Sequence, residues 1–210
     1  ICSGLVGSEM CIRDSSETAF MTNRAIEFIE ESKNKQWFLH LSYIKPHWPY
    51  MAPAPYHNMY SANEFYPVHR NDAERNNDHP VYKAFMENSI SKTFSKDEVR
   101  NTVLAGYMGL IKQIDDNLGR LFKFLESSGH MDDTMIVFTS DHGDYQGDHW
   151  LGEKELFHEQ SVRVPMIIYD PSDYANKTRG TKEERFIEAI DLLPTFLDAV
   201  ESPVSKHRFC

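Results

Sequence analysis

The stretch from Val103 to Leu125 constrains this chain more than any other. Val103, Tyr107, Leu110, Ile111, Ile114, Leu118, Leu121, Phe122 and Leu125 recur at helical spacing and form one apolar face. A helix of this kind must bury that face against a sheet or another helix. Ser95-Lys-Asp-Glu98 ahead of it matches a capping box, and Gly129 behind it is a natural C-terminal stop. Upstream, residues Ser16 to Lys33 read as a helix with Phe20, Ala25, Ile26 and Ile29 at helical spacing, and Gln36 to Ile44 reads as a buried strand. Pro46, Pro49, Pro53 and Pro55 then impose a stiff irregular loop. Tyr56 to Phe94 is weakly patterned and polar, a long surface excursion of the kind that serves as a lid or binding loop. Strands at Thr134 to Thr139 and Val164 to Tyr169 and a short helix at Asp191 to Val200 complete the order. Strands alternating with amphipathic helices predict an α/β fold with a mostly parallel sheet flanked by helices.

Bulk properties narrow the partners. A net charge of −10 over 210 residues argues against nucleic acid or an anionic membrane, which require a basic face. No stretch approaches the roughly 18 apolar residues of a membrane span. An acidic protein that handles an anion must build a local positive site. Cys2, Cys11 and Cys210 all lie at the ends and form no metal-binding spacing. Residues 1–15 lack the pattern of a signal peptide and resemble translated adaptor sequence. They are set aside, leaving residues 16–210 for the fold.

The run Thr139-Ser-Asp-His-Gly-Asp144 follows directly on the apolar residues Met135 to Phe138. A strand ending in Asp141 and His142, with Gly143 to let the backbone turn, offers a carboxylate oxygen and an imidazole nitrogen to a divalent metal. The plain alternative is a turn-capping aspartate beside a packed histidine. Lys154, thirteen residues beyond Asp141, is a cation suited to neutralising an anionic substrate and the negative charge on a leaving oxygen. As a lysine, its ordinary fate is simple solvation. His47, held between Pro46 and Trp48-Pro49, is suited to binding an anion or protonating a leaving group; otherwise it is a satisfied loop histidine. With strands 36–44 and 134–139 parallel, His47, Asp141 and His142 would share one edge of the sheet, where α/β ligands bind. His149 and His158 read as supporting or structural residues, and His57, His69 and His79 as surface residues. Trp48, Tyr50, Tyr56, Tyr60, Phe65 and Tyr66 suit either a substrate pocket or the cover of a core.

The blocks WFLHLSYIKPHWPYMAPAPYHNMY, IDDNLGRLFKFLE, TSDHGDYQGDHWLGEK and SVRVPMIIYDP resemble, in order, the sulfatase family of the alkaline phosphatase superfamily. APYHNMY and the GDHWL spacing are similar to its phosphonate monoester hydrolase branch, and arylsulfatase-like and choline-sulfatase-like members share much of the frame. The resemblance runs from about Phe20 to the end. It implies an alkaline-phosphatase-like fold, incomplete here because a smaller C-terminal domain is expected beyond it. It implies Asp141 and His142 as ligands of one divalent metal ion, with calcium, manganese or magnesium ahead of zinc. It implies His47 and Lys154 as catalytic and substrate-binding contacts to a sulfate or phosphonate group.

The family nucleophile is a formylglycine made within a Cys/Ser-x-Pro-x-Arg motif. Neither Cys2 nor Cys11 begins such a motif, so the nucleophile is expected upstream, with further metal-binding aspartates. The chain is therefore expected to be the central part of a longer reading frame. The parent would be a hydrolase of small anionic esters, and the isolated piece would be inactive. Two other readings stand beside this one: a non-catalytic metal-binding module on the same frame, and a two-metal phosphodiesterase or phosphatase of the superfamily. Homo-oligomerisation of the parent and its compartment, cytoplasmic or periplasmic, are left open.

Overall fold

The computed structural model describes residues 14–32, 35–62, 64–76 and 79–204. The adaptor-like stretch falls almost wholly outside them, as do Cys2, Cys11 and Cys210. Helix α1 spans Glu17–Ser32, and the Ser16 hydroxyl accepts from the Ala19 N–H at its start. Its buried face is Thr18, Ala19, Thr22, Ala25 and Ile29, whereas Phe20, assigned to the apolar face from spacing, is 57% exposed.

Helices α2 (Pro80–Glu87) and α3 (Ser89–Phe94) replace part of the irregular excursion expected from sequence. Pro80 sits at the first turn of α2, where its missing N–H costs nothing, and the Asn88 side chain caps α3 by accepting from Ser91 N at 2.7 Å. Tyr82 and Phe94 are buried, so this segment is not only surface. Helix α4, Asp97–Ser128, is the long helix read from the sequence, ending on Gly129 in the left-handed region at φ 78°. The capping box at Ser95 does not form: Lys96 is the cap residue, and the Ser95 hydroxyl donates back to Ser91 O at 2.8 Å.

The α4 face is also more polar than its pattern suggests. Leu110, Leu121 and Leu125 are buried together with Arg100, Gln113 and Asn117, while Ile111 is more than a third exposed. Gln113 donates to the Ser16 hydroxyl at 2.6 Å, and Asn117 donates to the Gln113 carbonyl, so these buried amides are partnered. The apolar seam is Ile29, Leu121 and Leu125, each worth about 1.5–3 kcal/mol on burial.

The exposure of residues 36–44 alternates strictly, as in a half-buried strand. Trp37, Leu39 and Leu41 pack on the Ile29–Leu121–Leu125 seam, whereas Phe38 and Ile44 face outward at 68% and 60% exposure. This segment joins no ladder among the described residues. Strands β1 (Ile136–Thr139) and β2 (Met166–Tyr169) form the sheet seen there, two-stranded and antiparallel, with Phe138 opposite Ile167. The parallel pairing of 36–44 with β1 expected from element order is thus not observed. Alternation fixes which face of a strand is buried, but not its neighbour. Between β1 and β2 lies the one-turn helix α5, Glu159–Val162, and helix α6, Leu192–Ala199, is the last among the described residues. No helix among the described residues is long and apolar enough to cross a membrane.

The proline loop crosses α4 at Gly106 and Gly109. A Cβ on either would lie 2.4 Å from a backbone carbonyl, that of Tyr50 or of Tyr56. These glycines let the loop bearing His47 rest on the helix backbone.

Candidate active site

Strand β1 delivers Ser140, Asp141 and His142 at its carboxyl end. The Asp141 carboxylate accepts from the His142 N–H at 2.9 Å and from the Ser140 hydroxyl at 3.3 Å. The His142 Nδ1 lies 2.8 Å from the Gly143 carbonyl, which can only accept, so Nδ1 carries the proton. In the neutral ring Nε2 is then the nitrogen left to a ligand, and it lies 3.3 Å from Asp141 Oδ2. That separation is close to the edge of a polyhedron with metal–ligand distances of about 2.0–2.4 Å. The donors, their spacing and the tautomer all fit a divalent metal. Burial alone would raise the Asp141 carboxyl, but the His142 N–H, the adjacent imidazole and the Ser140 hydroxyl outweigh it and hold it below its ordinary value. It is thus a ready anion. The pair supplies two donors, and no cluster of three His, Cys, Asp or Glu side chains suited to a metal forms among the described residues.

The loop beyond is locked by short bonds. Gly143 N donates to Ser161 O at 2.7 Å, Tyr145 N to Glu153 O at 2.7 Å, and the Ser161 hydroxyl to Lys154 O at 2.5 Å. Gln146, His149, Trp150 and Glu153 all adopt positive φ, a strained run that the surrounding bonds hold in place. Lys154 is half-buried, and its ammonium enters no ion pair among the described residues. Next to it, burial and the Glu155 carboxylate raise the Glu153 carboxyl, with Lys154 pulling the other way. His47 is exposed, with Nδ1 2.9 Å from the Trp48 carbonyl, and Lys45 bridges the carbonyls of His47 and Pro49 at 3.1 Å each.

No hydrogen bond or ion pair joins His47 or Lys154 to Asp141 or His142. What brings their loops together is a pair that sequence reading did not single out. The Tyr50 hydroxyl donates to Asp144 Oδ2 at 2.9 Å, across 94 residues. Tyr50 had been read only as one of several pocket or cover aromatics; it also lines an open cavity of about 490 Å³ with Met51, His57 and Thr102. Burial, reinforced by Asp144, pushes the Tyr50 phenol up, so it remains a donor throughout the neutral range.

A second network ties the excursion to the lysine loop. His69 N donates to Asp148, His149 N to the His69 carbonyl, and Trp150 Nε1 to the Asn71 carbonyl. The Trp150 ring lies between the guanidinium groups of Arg70 and Arg75, at 4.2 and 3.6 Å. His149 meets acceptors on both ring nitrogens, Glu74 at 2.8 Å and Gln160 at 3.2 Å, and stacks on His158 with centroids 4.1 Å apart. His149 and His158 thus pack into a contact network beside the lysine loop. His69 is exposed, as read from the sequence, and its backbone joins this network.

Burial and the neighbouring His149 charge hold the His158 imidazole below its ordinary 6.5. The unfolded chain therefore takes up that proton first. The contribution of His158 is complete above about pH 6.5 and is lost as pH falls toward the depressed folded value. Burial alone would raise Glu74, but the Asn71 N–H and His149 leave it below 4.5, which adds a second loss at lower pH. The urea midpoint of metal-free protein is expected to fall between about pH 7.5 and about pH 5.5, and His158→Gln to flatten that slope. A midpoint unchanged across this range contradicts the assignment.

Known proteins share the sequence and the fold of this chain. The sulfatase family profile matches residues 6–202. The chain is 38% identical over 200 residues to the multifunctional alkaline phosphatase superfamily protein PehA of Trinickia caryophylli, covering 89% of this chain and 38% of that protein. It is 31% identical over 183 residues to an arylsulfatase of Clostridium perfringens, covering 86% of this chain and 37% of that one. The phosphonate monoester hydrolase of Agrobacterium radiobacter superposes with a TM-score of 0.82 at 32% identity, over 90% of this chain and 39% of that structure. The chain thus spans about two-fifths of the length of these relatives. Fold and strand-end site together define an α/β protein of alkaline-phosphatase-like architecture. Within that class, the chain belongs to the sulfatase family.

Proposed function

We propose that this chain carries the metal-binding and anion-binding part of a metal-dependent hydrolase of sulfate esters or of phosphonate and phosphate monoesters. The observation that carries this reading is the Asp141–His142 pair, with Nδ1 committed to Gly143 and Nε2 turned toward the Asp141 carboxylate. Asp141 and His142 would hold one divalent ion, with calcium, manganese or magnesium ahead of zinc. When bound, such an ion supplies positive charge to the oxygens of an anionic ester.

The chain's own residues do the rest of what is assigned here. The Lys154 ammonium binds a substrate oxygen and offsets charge as the ester bond breaks. His47, with its Nδ1–H donated to the Trp48 carbonyl, presents Nε2, which in the imidazolium form gives its proton to the departing alcohol. The reading assigns the nucleophile to no residue of this chain, and no Cys/Ser-x-Pro-x-Arg motif occurs in it. A formylglycine fits none of the residues present, so no step is derived through one.

The test uses the full-length protein with an aryl sulfate and a phosphonate monoester. Chelation is expected to abolish hydrolysis and a divalent salt to restore it, with Asp141→Asn and His142→Ala each removing metal binding in calorimetry. Metal binding without hydrolysis of either ester would favour the non-catalytic module. Undiminished hydrolysis by Asp141→Asn or His142→Ala would refute the site.

A further inference from the structure

The Tyr50–Asp144 contact belongs to a larger construction. Asp144 is half-buried and lies two residues past His142. Its Oδ2 accepts from the Tyr50 hydroxyl at 2.9 Å, and its Oδ1 accepts from the Gln146 backbone N–H at 3.0 Å. The Gln146 amide donates to the Tyr50 oxygen at 3.2 Å, closing a ring of three residues. Gln146 is 6% exposed and held at φ 47°, and its backbone carbonyl accepts from the buried Arg100 Nε at 3.1 Å.

The orientation of that amide is decided by its neighbours. Turned over, its oxygen would face the Tyr50 oxygen, whose proton is committed to Asp144. The observed orientation leaves Gln146 Oε1 buried without a partner. An unmet buried acceptor costs about 1–3 kcal/mol. The local structure tolerates that cost and keeps the ring of contacts intact.

Tyr50 stands three residues beyond His47, on a loop that rests on α4 where a Gly106 Cβ would come within 2.4 Å of the Tyr50 carbonyl. The ring's bonds span 94 and 96 residues and join the His47 loop directly to the Asp141–His142 loop. We propose that Tyr50 and Asp144 are positioning residues that hold His47 at the distance from the Asp141–His142 pair at which its Nε2 reaches the leaving oxygen. The proposal rests on the hydrolase reading above and names how one group of that site is aligned.

A displaced proton donor hurts poor leaving groups and spares good ones, because only the former need the proton. In the full-length, metal-loaded protein, Tyr50→Phe is expected to lower kcat roughly tenfold to a hundredfold for alkyl esters, with KM and activated aryl esters changed by less than about twofold. Asp144→Asn is expected to give the same split, and the double variant no more than the larger single loss. Tyr50→Phe removes one hydroxyl, so it serves as the test even where Asp144→Asn fails to fold. Equal losses for all leaving groups would overturn the proposal and leave Tyr50 a purely structural residue. The imidazole nitrogen NMR signals of His47 give a second readout independent of turnover. They are expected to move in Tyr50→Phe, and unmoved signals would overturn the proposal whatever the kinetics. If the wild-type protein hydrolyses no ester while the His47 signals still move, the hydrolase reading fails and the positioning contact stands.

Discussion

Replacing Lys154 with alanine in the full-length protein is expected to reduce turnover by about 10²- to 10³-fold, the usual cost of removing one preorganised charge from a developing oxyanion. The position is prepared for that role. Its carbonyl is held by the Ser161 hydroxyl at 2.5 Å and its N–H by Glu155 at 2.9 Å, and Glu153 before it is locked at φ 60°. The backbone is fixed while the ammonium takes part in no ion pair among the described residues, an arrangement that leaves the charge available to a ligand. Lys154→Arg should recover part of the loss, because the charge is kept while its shape and reach change. The measurement is kcat and KM on the same ester for all three proteins. A kcat unchanged by alanine would remove Lys154 from the mechanism.

Gly143→Ala is expected to cost roughly 3 kcal/mol of stability and to weaken metal binding at least tenfold, since both overpacking and a broken buried bond are involved. A Cβ at this position would stand 1.9 Å from the Gln160 carbonyl oxygen and 2.9 Å from its carbon, distances that no side-chain rotation relieves. Helix α5 or the metal loop must move, and either motion breaks the 2.7 Å bond from Gly143 N to Ser161 O. Ser161 in turn holds the Lys154 carbonyl, so the strain reaches both halves of the site. Urea unfolding and metal titration of the variant test this together. Wild-type metal affinity in Gly143→Ala would show that the loop relaxes without disturbing His142.

Several features were readable from local pattern because their causes are local. The apolar periodicity of α4, the glycine that ends it, and the β-prone runs of β1 and β2 each depend on residues within a few positions of one another. The same is true of the Asp141–His142 pair, which shares one loop directly after an apolar run. Errors arose where a second element decides. Phe20 carries the spacing of a buried residue, yet Thr18 and Thr22 are buried in its place, with the Thr22 hydroxyl bonded to the Thr18 carbonyl and the Tyr43 hydroxyl. Ser95 has a capping sequence, but the end of α3 offers its hydroxyl the Ser91 carbonyl instead. Residues 36–44 have the alternation of a strand, and nothing in alternation names a partner.

By itself, then, the sequence determined the long helix, the strand-end acid–imidazole pair, the candidate cation Lys154 and, through its ordered blocks, the family. These are properties of neighbouring residues and of their order along one chain. The tertiary structure alone decided that β1 meets β2 antiparallel, that Gly106 and Gly109 seat the proline loop, and that Tyr50 reaches Asp144. A contact across 94 residues leaves no mark in the spacing of either partner, because its closure is set by everything packed between them.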